Sequence, residues 1–202
     1  MSQVRTYEIR DTGGTVIVPQ RGSVIDMKYY RWDQRTTFYY GYGQSEYESY
    51  ASQANVHPLA LRLDNVSSPD NIIICEWMLS GEEGSTSNFG CRILRNGSII
   101  PTDFGGGTTD AYGMQWQLFA NWGFDGDNNS TPHSTRILYV GKAGFTGVLE
   151  YQLWFGDGGN NQNNIYYTNR TVGSAGQDGF EVGTCGGFIY EISGDISTGG
   201  GG

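Results

Sequence analysis

The stretch "RILRNGSII", residues 92–100, places two short apolar runs on either side of Asn96-Gly97. Asn-Gly between alternating apolar residues is the strongest local signal for a two-residue type I′ hairpin, because both turn residues must take positive φ. The stretch therefore predicts two antiparallel strands in fixed register, and the question becomes whether the text around it is built the same way.

It is. In "VLEYQLWF" (148–155), Leu149, Tyr151, Leu153 and Phe155 fall on one face, while Glu150 and Gln152 fall on the other. This is the period of a half-buried strand. "NIIICEWMLSG" (71–81) begins as a continuous apolar run, as a central strand does. Further strands are predicted in "SVIDMKYYRW" (23–32), "TTFYYGYG" (36–43), "LALRL" (59–63), "STRILYVG" (134–141), "NIYYTNRT" (164–171) and "GFIYEIS" (187–193). Gly-, Asn-, Asp- and Ser-rich turns separate them, among them "VSSPDN", "GEEGSTSN", "FDGDNNSTP" and "FGDGGNNQNN". No stretch of a dozen residues carries a convincing helical period, and residues 44–56 hold a helical turn at most. About ten short strands at this spacing predict an all-β, antiparallel β-sandwich of jelly-roll type. Residues 1–21 read as an N-terminal arm or docking segment, 22–193 as the sandwich domain, and 194–202 as a flexible Gly-rich tail.

The composition narrows the function. Charged residues make up only 16% of the chain, below the usual quarter, and the net charge is −9. Without a basic patch to neutralise phosphates, nucleic acid is not an expected partner. No apolar run is long enough for a membrane span, and "MSQVRTYEIRDTGG" has no apolar leader, so a membrane is not expected either. Cys75, Cys91 and Cys185 form no CxxC pair, which leaves buried reduced thiols or a disulfide between two of them.

Catalytic constellations are thin. His57 and His133 are the two histidines, and no GxSxG elbow accompanies them. They read as loop or strand-end residues. A glycosidase needs two carboxylates facing across a cleft. Asp125, Asp127, Asp157, Asp178, Glu150 and Glu181 are present, but most stand in Asn/Gly turns, where Asp bonds its own backbone. "DGDNNS" (125–130) opens like a Ca²⁺ loop, yet Ser130 and Arg136 occupy the positions where an EF-hand has Gly and Glu. A looser Ca²⁺ loop of Asp125, Asp127 and Asn129 stays open beside the reading as a solvated turn. Asn-x-Ser/Thr sequons begin at Asn65, Asn96, Asn128, Asn129 and Asn169 and follow from the abundance of these residues. No cofactor and no enzymatic activity are expected.

The candidate binding residues are aromatic. "DAYGMQWQLFANWGFDGDNN" (110–129) sets Tyr112, Trp116 and Trp122 beside Asp125, Asp127 and Asn128. Aromatic faces with nearby amides suit sugars and protein interfaces alike. Core packing is the plainer reading for Trp116, whereas Trp122, between Asn121 and Gly123, reads as a loop-edge residue.

The ordered phrases "GSVIDMKYYR", "LALRLDNVSSPDNIIICEWMLSGE", "GCRILRNGSII", "DNNSTPHSTRILYVG" and "YYTNRTVGSAGQDGFEVGTCGGFIYEIS" resemble small virion structural proteins of tailed bacteriophages, especially phages of marine bacteria and cyanobacteria. These are tail fibre, head fibre or capsid decoration proteins, and the resemblance covers roughly residues 22–193. It implies a β-sandwich, usually a homotrimer, displayed on the particle exterior, and it supplies no catalytic residue. The first expectation is a tail fibre or receptor-binding component that attaches to a host surface glycan or protein noncovalently. The alternatives are a capsid decoration (cement or head fibre) protein and, in another class, a polysaccharide depolymerase. The expected partners are copies of the chain and other virion proteins, and the expected location is the virion, after synthesis in the host cytoplasm.

Overall fold

A computed structural model of the chain describes residues 23–40, 56–83, 89–100, 120–122, 132–157, 164–173 and 182–194. The strands are β1 (Val24–Trp32), β2 (Thr36–Tyr40), β3 (Leu61–Val66), β4 (Ile72–Glu83), β5 (Phe89–Arg95), β6 (Ser98–Ile99), β7 (Ala120–Trp122), β8 (His133–Lys142), β9 (Gly147–Asp157), β10 (Asn164–Thr168) and β11 (Cys185–Ile192). Every pairing among them is antiparallel. No helix occurs among the described residues.

Two sheets form. One has the order β1-β11-β4-β10-β2, with β8 on the other edge of β4, and the second has β3-β9-β5-β6, with β7 also on β5. In the first sheet β11 pairs the start of β4 and β10 pairs its end, while β1 pairs β11 and β2 pairs β10. So β1 with β2, and β10 with β11, are interrupted strands lying end to end. Taking β6 with β7 in the same way, since both pair β5, the described strands reduce to eight. The first then pairs the last, β3 pairs β9, β4 pairs β8, and β5 pairs β6/β7. This is one long antiparallel ribbon, doubled back at Asn96-Gly97 and rolled until β4 meets β11 and β5 meets β9. A ribbon rolled into two packed sheets is the jelly roll, as the sequence predicts.

The turn at the ribbon's tip has the expected form. Arg95 and Ser98 pair across it, and Asn96 (φ 49°) and Gly97 (φ 77°) both take positive φ. Asn96 also ties the tip to β9: its Oδ1 accepts from Glu150 N–H at 2.8 Å and its Nδ2 donates to the Val148 carbonyl at 3.2 Å.

The core lies between the sheets. Ile73, Cys75, Trp77 and Leu79 of β4 face Leu149, Tyr151, Leu153 and Phe155 of β9, with Leu61 and Leu63 beside them. The face predicted for "VLEYQLWF" is thus the buried one. Gly187 packs directly against Leu61 of the opposite sheet. A Cβ there would lie 2.7 Å from Leu61 Cδ2 and 2.9 Å from the Glu76 carbonyl oxygen, so only glycine fits. At the sandwich margin the Tyr30 hydroxyl donates to the Arg62 carbonyl at 2.6 Å, and Asp64 pairs with both Lys28 and Arg62.

Three details depart from the sequence reading. Strand β3 starts at Leu61 and runs to Val66, two to three residues later than "LALRL". Strand β10 ends at Thr168, because Asn169 (φ 61°) turns the chain there. Asn is among the few residues that take this left-handed backbone readily. Trp122 closes a short strand, β7, and its backbone pairs with Phe89. The arm (1–21) and the 44–55 segment lie outside the described residues, as does the tail from residue 195 onward.

Candidate functional site

The register sorts the strand ends onto the two ends of the sandwich. At one end are the hairpin Asn96-Gly97, the β3–β4 corner (67–71), the β8–β9 corner (143–146) and both chain ends of the sandwich, Ser23 and Gly194. This end is tightly bonded. Ala143 N–H donates to the Asn71 carbonyl at 2.8 Å, Gly144 N–H to the Pro69 carbonyl at 2.8 Å, and Ser193 N–H to the Ser23 carbonyl at 2.9 Å. Arg95 Nη1 donates to the Lys142 and Ala143 carbonyls, and its guanidinium lies 5.0 Å above the Phe145 ring. The buried Glu191 carboxylate accepts from Ser67 N–H and Ser67 Oγ, both at 2.9 Å, and from Asn71 Nδ2 at 2.5 Å.

At the other end are Tyr40, Glu83, Phe89, Trp122, His133, Asp157 and Asn164, as the pairs Gly81↔His133, Tyr166↔Glu83, Asn164↔Tyr40 and Phe89↔Asp157 require. The strands that lead into residues 41–55, 84–88, 123–131 and 158–163 therefore all terminate at this one end. Of the candidate binding residues, Trp122 is placed here by its backbone. Tyr112, Trp116, Asp125, Asp127 and Asn128 lie outside the described residues, as does the Ca²⁺ candidate Asn129.

Below this end the interrupted strands are clamped by one side chain. Asn169 Nδ2 donates to the carbonyls of Trp32 at 2.7 Å and Gln34 at 3.1 Å, across the break between β1 and β2. Its backbone N–H donates to the Ser80 carbonyl at 2.8 Å, and its carbonyl accepts from Gly183 N–H at 3.2 Å. Glu82, buried beside it, accepts from Val172 N–H. These groups act as scaffold, tying the break between β1 and β2 to β4 and to the chain beyond β10.

Burial holds His57, Cys75 and Cys185 in their neutral forms. His57 is fully buried, its Nδ1 accepts from Leu59 N–H at 3.1 Å, and desolvation pushes its pKa down to about 3, so it is neutral. Cys75, Cys91 and Cys185 are buried thiols, which favours the thiol reading over the disulfide. Burial drives the Cys75 thiol well up and the Cys185 thiol up to about 11, so neither supplies a thiolate at neutral pH. Glu150 lies on the outer face of the second sheet with Arg62 at 3.8 Å, and Asp157 ends β9. Asp178 and Glu181 fall outside the described residues.

A surface the sequence reading missed is the outer face of the first sheet. Cross-strand register lines up Met27, Tyr190, Ile74 and Val140 in one row. Tyr29, Phe188, Glu76 and Leu138 form the next. Met27 is 54% exposed, Tyr29 53%, Leu138 49% and Val140 43%. The signal was available in the sequence, as apolar residues at both parities of "NIIICEWMLSG" and "STRILYVG", where a strand with one wet face alternates.

No family model matches the chain, and no curated protein matches it. Solved structures similar to it include dimeric latent PorU from Porphyromonas gingivalis (10% identity, TM-score 0.40, covering 90% of this chain). Infectious bursal virus T=1 particles (10% identity, TM-score 0.34, 85% coverage) and the Gx strain of infectious bursal disease virus (9% identity, TM-score 0.27, 86% coverage) are also similar. The chain spans 15% of the PorU chain and 37–38% of the two viral chains. Among the described residues, no helix is long and apolar enough to cross a membrane.

Proposed function

We propose that the chain is a virion surface protein of a tailed bacteriophage, acting as a tail fibre or receptor-binding component. The carrying observation is the polarity of the sandwich. Both chain ends of the jelly roll, Ser23 and Gly194, lie at one end, and the connections 41–55, 84–88, 123–131 and 158–163 depart from the opposite end. A module anchored through its termini presents such loops outward, and loops on a rigid scaffold are where recognition is placed. The sequence resemblance to phage fibre and decoration proteins points the same way. Recognition is noncovalent: Tyr112, Trp116 and Trp122 supply stacking faces and Asp125, Asp127 and Asn128 supply polar contacts to a host surface glycan or protein. Several copies on one particle convert weak single sites into firm attachment. The buried, neutral His57 and the high-pKa thiols fit a binding module rather than a hydrolase.

Cryo-electron microscopy of particles decorated with gold-labelled antibody to this chain tests the proposal. Label on the tail is the expected result. Label spread over the shell moves the protein to the decoration class, and particles without label refute a virion role.

A further inference from the structure

We infer that the outer face of the first sheet is the surface on which a second copy of this chain docks. The inference is independent of the phage reading, since it rests on the surface alone. The two apolar rows continue on either side, through Val24 (57% exposed) and Ile192 at one margin and Met78 (41% exposed) at the other. The face is four strands abreast and about eight residues long, which at standard spacings is on the order of 20 Å by 25 Å. Mating two such faces buries on the order of 1,000–1,500 Å² in total, within the range of specific stable interfaces. The largest apolar patch on an ordinary monomer is roughly 300–600 Å².

The side chains are those that concentrate at interface centres, namely Tyr, Phe, Met and Arg. Tyr29, Phe188 and Tyr190 form a ring ladder, with centroids 4.8 Å and 6.0 Å apart, already ordered before any partner arrives. Less side-chain freedom is then lost on docking.

Charge on this face permits a second copy. The chain carries −9 overall, so two copies repel wherever their acidic surfaces meet. On this face each charge is matched: Arg136 pairs with Glu76 at 2.6 Å, Arg31 with Asp33 at 3.7 Å, and Lys142 with Asp70 at 3.4 Å. An electrically balanced apolar face is where like-charged chains can meet.

Size-exclusion chromatography with light scattering on the full chain at micromolar concentration tests the inference. The expected mass is twice that of the 22.2 kDa monomer, since a face mated to its own copy closes at a dimer. Met27→Glu with Leu138→Glu should return it to the monomer, a twofold drop, with an unchanged circular dichroism spectrum and melting point under dilute conditions. Phe145→Glu, equally exposed but on the β8–β9 corner, should leave the mass unchanged. A monomeric wild-type chain overturns the inference. So does dissociation by Phe145→Glu, or a wild-type monomer that associates only after residues 1–22 are removed, which would make that segment the occupant. If the double variant misfolds, Val140→Lys alone must still lower the association constant at least tenfold for the inference to stand.

Discussion

Acidification offers a direct measure of how deeply His57 is buried. The imidazole is enclosed by Phe155 and Tyr166, with ring centroids at 5.5 Å and 6.4 Å, and its Nδ1 is occupied by Leu59 N–H. Its pKa falls to about 3 in the folded chain, against an unfolded value of 6.5. A depressed folded pKa means that the unfolded chain takes up the proton first. The stability associated with neutral His57 is therefore full above pH 6.5 and is lost as pH falls from there toward 3. The loss reaches about 2 kcal/mol between about pH 7 and pH 5, and about 4–5 kcal/mol once pH is below 3. Urea unfolding at about pH 7 and pH 5 measures the first of these. His57→Phe is the reference variant. It gives up the hydrogen bond from Leu59, a uniform cost of about 1 kcal/mol, but should lose about 2 kcal/mol less than wild type between the two pH values. Equal pH dependence in the two proteins would show that His57 is hydrated in the native state and would refute the argument.

Other substitutions probe the fold and the binding reading. Gly97→Val should destabilise by roughly 1–3 kcal/mol; a Cβ there meets nothing within 4 Å, so the whole cost is positive φ, and an unchanged urea midpoint would contradict the type I′ turn. Asn169→Ala removes the clamp on Trp32 and Gln34 and places Ala at φ 61°, which should cost about 2–4 kcal/mol by the same assay. Cys75, Cys91 and Cys185 should react with a thiol reagent only at the rate of unfolding; rapid labelling of the native protein would refute their burial. On the receptor-binding reading, Trp122→Ala should weaken binding to host envelope polysaccharide more than Asp125→Asn does, with no release of oligosaccharide. Equal loss from Asp125→Asn and from a chelator would instead assign Ca²⁺ to Asp125, Asp127 and Asn129.

The strands were legible because their signals are local. Asn96-Gly97 announces its turn, and Leu149 to Phe155 announce a buried face. The rolled order of those strands was not, since pairing Val24 with Ile192 leaves no mark within either segment. Nor was the clamp at Asn169: in "YYTNRT" it reads as one more strand residue, and only the carbonyls of Trp32 and Gln34 give it a role. His57 was readable as a strand-end histidine, but its full burial depends on Phe155 and Tyr166, far away in sequence. The binding candidates between Tyr112 and Asn128 carry a signal of residue type alone, and of these the fold locates Trp122, at the loop-bearing end.

A doubled ribbon also dictates an order of assembly. Arg95 and Ser98 need close only a two-residue loop, whereas Val24 and Ile192 are joined by nearly the whole chain. Closing the outermost pair first would incur the full loop entropy at once; closing it after β4 has met β8 and β3 has met β9 leaves much shorter loops to close. The low-entropy route is a zipper that starts at the tip and ends with β1 and β11, and its many distant pairings put it among slow-folding topologies. Changes at the tip should then act on the folding rate, and changes in the last-formed pair on the unfolding rate. The outer apolar face, built by β1, β11, β4 and β8, is complete only at the final step, so a nascent chain does not display it whole until the fold beneath it is finished.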